Sequence, residues 1–233
     1  MIYSLITGGT SGLGYELAKK LIKMGKNVII MGRDEKKLNS STKELKIISQ
    51  EVKVIGVKID ISNLSEVDKF FLDLKTDNIE IEHLYNNAGQ GFFGSVEEVT
   101  EYEISSILNS NLVGLINMTS RAVTHMKSLE QKCKIINILS TAAQIGKKNE
   151  TIYCAAKWGA KGFLESVRDE IHGGNIEVII VYPGGMNTPF WNDIDSGYEF
   201  LTFMKAEDVA EEIVHAAINH KILISDLVIN RRK

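Results

Sequence analysis

The sequence predicts one doubly wound α/β domain: a single parallel sheet of about seven strands with helices on both faces. Three observations lead there. Short runs dense in Val and Ile alternate with longer amphipathic stretches from end to end. A glycine-rich turn follows the first run at once. No internal repeat or low-complexity linker divides the 233 residues, a length that single α/β domains reach.

The elements follow in strict order. Ile2–Ile6 reads as the first strand and Gly14–Met24 as its helix. Asn27–Met31 leads into Glu35–Ser49, and Val52–Ile59 into Leu64–Lys75. Ile81–Tyr85 precedes Glu103–Ser128, and Lys134–Leu139 precedes Ile152–His172. Ile176–Val181 is followed by helix Ala206–Asn219 and a last strand, Ile222–Ile229. The strand runs are apolar throughout, as expected for strands covered on both faces. In Glu103–Ser128, Ile104, Ile107, Leu108, Leu112, Leu115 and Ile116 make a core stripe at helical spacing. Both prolines, Pro183 and Pro189, fall after the sixth strand. There the long irregular segment Gly184–Lys205 suggests a functional loop, a lid at about 185–205 of a single domain spanning 1–233.

Composition narrows the function. With 44% apolar and 24% charged residues, a full core can form. The net charge of −3 comes without a basic patch, which argues against nucleic acid; Arg231–Lys233 reads as a solvated tail. Two cysteines, Cys133 and Cys154, cannot build a disulfide framework, so a cytoplasmic setting is expected. The start of the chain reads as no signal peptide, and no segment reaches the roughly 20 apolar residues that span a membrane. His83, His125, His172, His215 and His220 are scattered without ligand spacing, so no metal is expected.

The glycine turn runs Thr7-Gly8-Gly9-Thr10-Ser11-Gly12-Leu13-Gly14. A helix start carries unpaired N–H groups and partial positive charge, and glycines let the backbone approach a pyrophosphate. The alternative is a tight turn with no ligand. After the second strand come Gly32, Arg33 and Asp34. A carboxylate at that strand tip suits NAD, whereas an Arg suits the 2′-phosphate of NADP. Gly32 and Arg33 point to NADP(H) over NAD(H), unless Arg33 merely caps the surface and Asp34 turns inward. Asp60, ending the third strand, either accepts from an adenine amino group or belongs to the helix start before Asn63.

Four polar residues sit in places where bland explanations compete with chemistry. Asn111 interrupts the core stripe; a buried amide is satisfied structurally or holds a water or reacting group. Ser140 and Thr141 end the fifth strand, where open α/β sheets bind ligands and where helix caps are also common. Tyr153 and Lys157 lie four apart and share a helix face. A Lys can favour the phenolate and bring a Tyr into use as a general acid or base, while a surface pair is the plain alternative. Cys154 points about 100° away from Tyr153 and reads as packing.

Together these residues resemble the short-chain dehydrogenase/reductase family, over nearly the whole chain and in order. Thr7–Gly14 is similar to its T-G-x-x-x-G-x-G turn, and Asn86-Asn87-Ala88-Gly89 to its N-N-A-G. Asn111, Ser140, Tyr153 and Lys157 match its catalytic tetrad, which picks Ser140 over Thr141. Pro183-Gly184, Met186 and Thr188 match its P-G-x-x-x-T. The resemblance implies a Rossmann fold and hydride transfer between NADP(H) and a small carbonyl or alcohol substrate. Tyr153 would be the general acid or base, and Lys157 would hold the nicotinamide ribose and depress the Tyr153 pKa. Ser140 would polarise the substrate oxygen, and Asn111 would hold a relay water. Cofactor contacts would come from Gly8, Thr10, Ser11, Gly12, Leu13, Gly14, Arg33, Asp60, Ile61, Asn87, Gly89, Tyr153, Lys157, Met186 and Thr188. Asn87 and Gly89 would line the adenosine side, and Met186 and Thr188 the carboxamide end.

Two departures stand out. Residues 227–233 replace the family's glycine-rich tail, which resembles a subgroup of NADP-dependent reductases acting on small hydroxy acids or a loose range of carbonyls. This puts one of the family's two common subunit contacts in question, and the expected dimer or tetramer would be built on Glu103–Ser128 and Ile152–His172. Cys154 and Ala155 stand where Ala and Ser are usual.

The lid holds Met186, Phe190, Trp191, Ile194, Tyr198, Phe200, Leu201, Phe203 and Met204, with Asp193, Asp195 and Glu199 as its charges before Lys205. This argues against phosphorylated or carrier-bound substrates, although these aromatics would also serve to pack the lid. The rival functions are a nucleotide sensor without chemistry, which has no need of the full tetrad, and an epimerase or dehydratase, which would need a separate substrate domain.

Overall fold

The computed structural model describes residues 1–192, 200–219 and 221–232. The elements are β1 (Ile2–Thr7), α1 (Gly12–Lys23), β2 (Val28–Gly32), α2 (Glu35–Ile48), β3 (Val54–Lys58), α3 (Leu64–Thr76) and β4 (Glu80–Asn86). They continue with α4 (Glu101–Leu108), α5 (Gly114–Lys127), β5 (Cys133–Ile138), α6 (Thr151–Glu170) and β6 (Ile176–Pro183). The last are β7 (Met186–Asn187), β8 (Met204–Lys205), α7 (Ala206–Ile218) and β9 (Asp226–Ile229).

Seven strands form one sheet in the order β3-β2-β1-β4-β5-β6-β9, every pairing parallel. Each face is sealed by its own core. On one, Phe70 and Phe71 of α3, Met118 and Met126 of α5 and Leu164 of α6 pack onto Leu5, Ile29, Leu84 and Ile135. On the other, Leu17 and Leu21 of α1, Leu45 of α2 and Ile213 of α7 pack onto Ile6, Ile30, Tyr85 and Ile136. Burial from both sides is why β1 and β5 carry almost no polar alternation. Strand order reverses between β1 and β4, and the crevice beyond their carboxyl ends is where such sheets bind ligands.

Three expectations change in detail. The span Glu103–Ser128 is two helices, α4 and α5, joined by a π-helical stretch, Asn109–Val113. The irregular segment contains a separate two-stranded parallel pair, β7 with β8. The last strand begins at Asp226 rather than Ile222. The Asn219 side chain accepts from the N–H groups of Lys221 and Ile222, at 2.9 and 3.4 Å, and turns that backbone away from the sheet. Pairing of β9 starts where Asp226 is gripped by Arg168 and by the Tyr182 hydroxyl, at 3.0 and 3.1 Å.

Candidate active site

A cleft of about 500 Å³ opens at the carboxyl end of the sheet. Its floor is the loops after β1, β4, β5 and β6; α6 supplies one wall and the lid the other.

Gly8, Thr10, Ser11, Gly12 and Leu13 line one end of the cleft. Gly8 has φ +64°, and a Cβ there would lie 2.9 Å from Ala88 Cα. Gly14 lies beneath the turn, where a Cβ would strike the Gly8 carbonyl and the Asn87 amide. The turn is braced from β4. Thr7 Oγ1 accepts from the N–H groups of Asn87 and Ala88, both at 3.0 Å. Asn87 Nδ2 donates to the Thr7 and Gly8 carbonyls, both at 3.1 Å. The start of α1 differs from its neighbours: Ser11 makes no side-chain cap bond, and the first turn holds no acid. By contrast, Asp34 caps α2, Asn63 caps α3 and Thr100 caps α4. The open N–H groups of α1 face the cleft, the arrangement an anion completes.

Arg33, Asp60 and Ile61 do not line the cleft. Arg33 is exposed just beyond β2 and makes no hydrogen bond or ion pair among the described residues. Asp34 does not turn inward; its carboxylate accepts from Lys36 and Lys37 N–H at 2.9 and 3.0 Å. Asp60 Oδ1 accepts from the N–H and the hydroxyl of Ser62, at 3.0 and 2.7 Å, forming a local turn before α3. Ile61 packs where a Cβ on Gly114 would sit. Lys37 is a basic side chain that does line the cleft.

At the other end Asn111, Ser140, Tyr153 and Lys157 come together. Tyr153 is only 8% exposed and Lys157 only 4%. Lys157 Nζ donates to the Ile138 carbonyl at 3.2 Å and lies 5.6 Å from the centre of the Tyr153 ring. Burial pulls the Lys157 ammonium down to about 8. Burial drives the Tyr153 phenol well above its usual value; the Ser140 hydroxyl opposes that shift and the Glu150 carboxylate adds to it. The expectation that Lys157 depresses the Tyr153 pKa is therefore not met here, because desolvation dominates and the amine is turned to a carbonyl.

Ser140 Oγ accepts from Ala142 N–H at 3.1 Å, and its hydroxyl also hydrogen-bonds the Tyr153 phenol inside the cleft. Capping and exposure to the cleft coexist at this residue. Asn111 is buried within the π stretch, and its Nδ2 donates to the Gln90 and Ile107 carbonyls, at 2.9 and 3.0 Å. Its Oδ1 accepts from Gln90 N–H at 3.3 Å, which leaves one lone pair. Gly89 sits beside this group rather than toward the glycine turn. A Cβ there would lie 2.5 Å from Asn111 Oδ1 and 3.7 Å from Lys157 Nζ.

Met186 and Thr188 line the cleft, and Trp191 Nε1 donates to the Met186 carbonyl at 2.9 Å. Of the lid residues singled out by sequence, Asp193, Ile194, Asp195, Tyr198 and Glu199 lie outside the described residues, as does His220; the Leu201 side chain does too.

Sequence reasoning missed several lining residues. Phe93, in the loop after β4, packs on Tyr153 and Trp191. Glu150, three residues before Tyr153 on the same helical face, is a buried carboxylate 4.0 Å from Lys147 Nζ, which in turn donates to Thr141 Oγ1 at 3.1 Å. Arg231 belongs to the cleft wall and donates to Thr202 Oγ1, so that part of the tail is not merely solvated. The i, i+3 spacing of Glu150 and Tyr153 was a usable signal; Phe93 and Arg231 carry none.

A family model described as short chain dehydrogenase matches residues 3–199. A solved structure of a short-chain dehydrogenase/reductase from Vibrio parahaemolyticus is 35% identical, with full coverage of both chains and a TM-score of 0.83. An NADP-dependent 3-hydroxy acid dehydrogenase of Schizosaccharomyces pombe is 27% identical, over 97% of this chain and 90% of that protein. A sepiapterin reductase of Chlorobaculum tepidum is 29% identical, over 75% of this chain and 71% of that one.

Proposed function

Because the chain belongs to the short-chain dehydrogenase/reductase family, we propose that it is an NADP(H)-dependent oxidoreductase interconverting a carbonyl and a secondary alcohol. The observation that carries this reading is the meeting of Asn111, Ser140, Tyr153 and Lys157 in one cleft with an uncapped, glycine-bordered helix start.

The chain fits a dinucleotide. The glycine turn, residues 8–14, would hold the pyrophosphate on open main-chain N–H groups, and no carboxylate stands in the first turn of α1 to repel it. Arg33 would meet the 2′-phosphate; among the described residues it has no carboxylate partner, and Lys37 lines the cleft, which supports NADP(H) over NAD(H). Asp60, Ile61 and Asn87 would face the adenosine half, and Met186 and Thr188 the carboxamide. When bound, the nicotinamide supplies hydride exchange with the substrate carbon.

The chain's own residues handle the proton. Tyr153, buried and protonated, donates to the carbonyl oxygen in reduction and takes the proton back in oxidation. Ser140 would turn its hydroxyl from the Tyr153 phenol to the same oxygen, where charge develops. Lys157 would hold the ribose hydroxyls. The remaining lone pair on Asn111 Oδ1 would hold a water through which Lys157 reaches solvent. The S. pombe relative supports a small hydroxy acid or carbonyl as substrate.

The test is a titration of purified protein with NADPH and NADH, for wild type and Arg33→Ala. NADPH binds the wild type at least tenfold more tightly, and the variant loses most of that preference. A carbonyl panel follows, with Tyr153→Phe expected to lower kcat by at least a hundredfold. Tighter NADH binding overturns the cofactor assignment. Binding without turnover of any carbonyl turns the reading into a nucleotide sensor.

A further inference from the structure

The half of the cleft around Tyr153 is walled by aromatic rings. Phe93, from the β4 loop, lies 6.1 Å from the Tyr153 ring and is tilted from it by only 30°. Phe190, from the lid, lies 6.0 Å from Tyr153 and stands at 86° to Phe93. Trp191 backs both, at 5.0 and 5.1 Å. All four residues line the cleft. The Phe93 and Phe190 rings therefore meet almost at a right angle beside the phenol.

Aromatic rings attract one another in two arrangements, offset stacking and edge-to-face, because the ring face is negative and the rim positive. A corner made of one face and one edge offers both to a flat ring, whereas a saturated chain gains only area. The cations lining the same region are each engaged: Lys157 donates to the Ile138 carbonyl, Arg231 donates to Thr202 Oγ1, and Lys147 is held by Thr141 Oγ1 and sits 4.0 Å from the buried Glu150 carboxylate. An incoming carboxylate would compete with Glu150 for that ammonium and meet its negative charge in a poorly solvated site.

We propose that Phe93 and Phe190 make the site selective for uncharged carbonyl compounds bearing a planar aromatic ring next to the reacting carbon. This rests on the carbonyl–alcohol reading above and puts an aryl ketone or the corresponding aryl carbinol in place of a small hydroxy acid as its substrate. Phe93 and Phe190 are specificity residues: they touch the substrate ring, not the reacting atoms.

The experiment measures NADPH oxidation by wild type, Phe93→Ala, Phe93→Leu and Phe190→Ala. The substrates are acetophenone, cyclohexyl methyl ketone, 2-butanone and a 3-oxo acid of similar size. NADPH affinity is followed in parallel by fluorescence. The expected result is a kcat/KM for acetophenone at least tenfold above the cyclohexyl ketone and the 3-oxo acid. That ratio should fall toward one in both Ala variants. Phe93→Leu, which keeps bulk but loses the ring face, should also lose it, although a packing role alone would leave the ratio unchanged. Equal rates for the aryl and cyclohexyl ketones, or preference for the 3-oxo acid, overturn the proposal while the oxidoreductase reading stands. Tight NADPH binding with no turnover of any ketone overturns both, and is recognised by the silent panel. Phe93→Ala protein that retains NADPH affinity is folded, so a lost preference there cannot be assigned to unfolding.

Discussion

A lysine ammonium taken out of water is a cost to the fold, and Lys157 shows it directly. Its pKa falls from 10.5 to about 8 because its surroundings solvate the charge poorly. Between those values the unfolded chain binds more protons than the folded one, so stability rises with pH there. Below pH 8 the full penalty is present, of order 3 kcal/mol at 1.36 kcal/mol per unit; above 10.5 it is gone. Lys157→Met is thus expected to abolish turnover and yet to resist urea better than wild type at pH 7. The gap should shrink as pH approaches 10. Urea midpoints of the two proteins at pH 7 and 10 check this, and a variant weaker than wild type at pH 7 would refute it. The same titration bears on ligand binding, since NADPH affinity should weaken as pH climbs past 8. Tyr153 shows the complementary effect: burial keeps its proton on, which suits a donor and leaves Lys157 no visible lowering of the phenol.

At the scale of elements, α5 is tied to β4 through an imidazole. His125 Nε2 accepts from Ile81 N–H at 3.2 Å, a bond that only the neutral ring can make. Burial lowers its pKa. Its contribution to stability is thus complete above about pH 6.5 and is lost as pH falls through the lower folded value. Thermal melts of His125→Gln should show a smaller drop in Tm between pH 7 and 5 than wild type. An equal drop would place the acid sensitivity elsewhere. The strands and helices were legible because double-sided burial writes long Val/Ile runs and three- and four-residue spacing writes helices. What escaped was whatever keeps composition while changing backbone. Ile107, Leu108, Leu112 and Leu115 give the same stripe whether or not one turn widens to the π form, so the break between α4 and α5 was invisible. Ile222–Ile224 had a strand's composition, but the Asn219 turn took its backbone. In the site, the local patterns (the glycine turn, Tyr153 with Lys157) could be read along the chain. Phe93, Lys37 and Arg231 join the cleft only through the order of strands, and no spacing announces that.

Over the whole molecule, the two long apolar faces are sealed, while some large side chains on α4 and α6 remain outside. Tyr102 is 77% exposed and Trp158 46%, on helices that pack against each other. We expect these helices to meet their copies in a homodimer or tetramer. Sedimentation velocity should give an oligomer for wild type and a smaller species for Trp158→Glu at the same concentration; a monomeric wild type would discard the idea. Among the described residues no helix is long and apolar enough to cross a membrane.

The brace beneath the glycine turn bears on when the site comes into being. Thr7 binds Asn87 and Ala88, which lie 80 and 81 positions further along the chain. Such distant closures come late, because the intervening loop must first lose its freedom. On the ribosome, the turn at residues 8–14 emerges early but has nothing to lean on until β4 and its loop follow. The proposed nucleotide would therefore not serve as a template for the first third of the chain. A nucleotide bound as proposed would meet a sheet already joined across its centre, and would reward only chains that have paired β1 with β4 correctly.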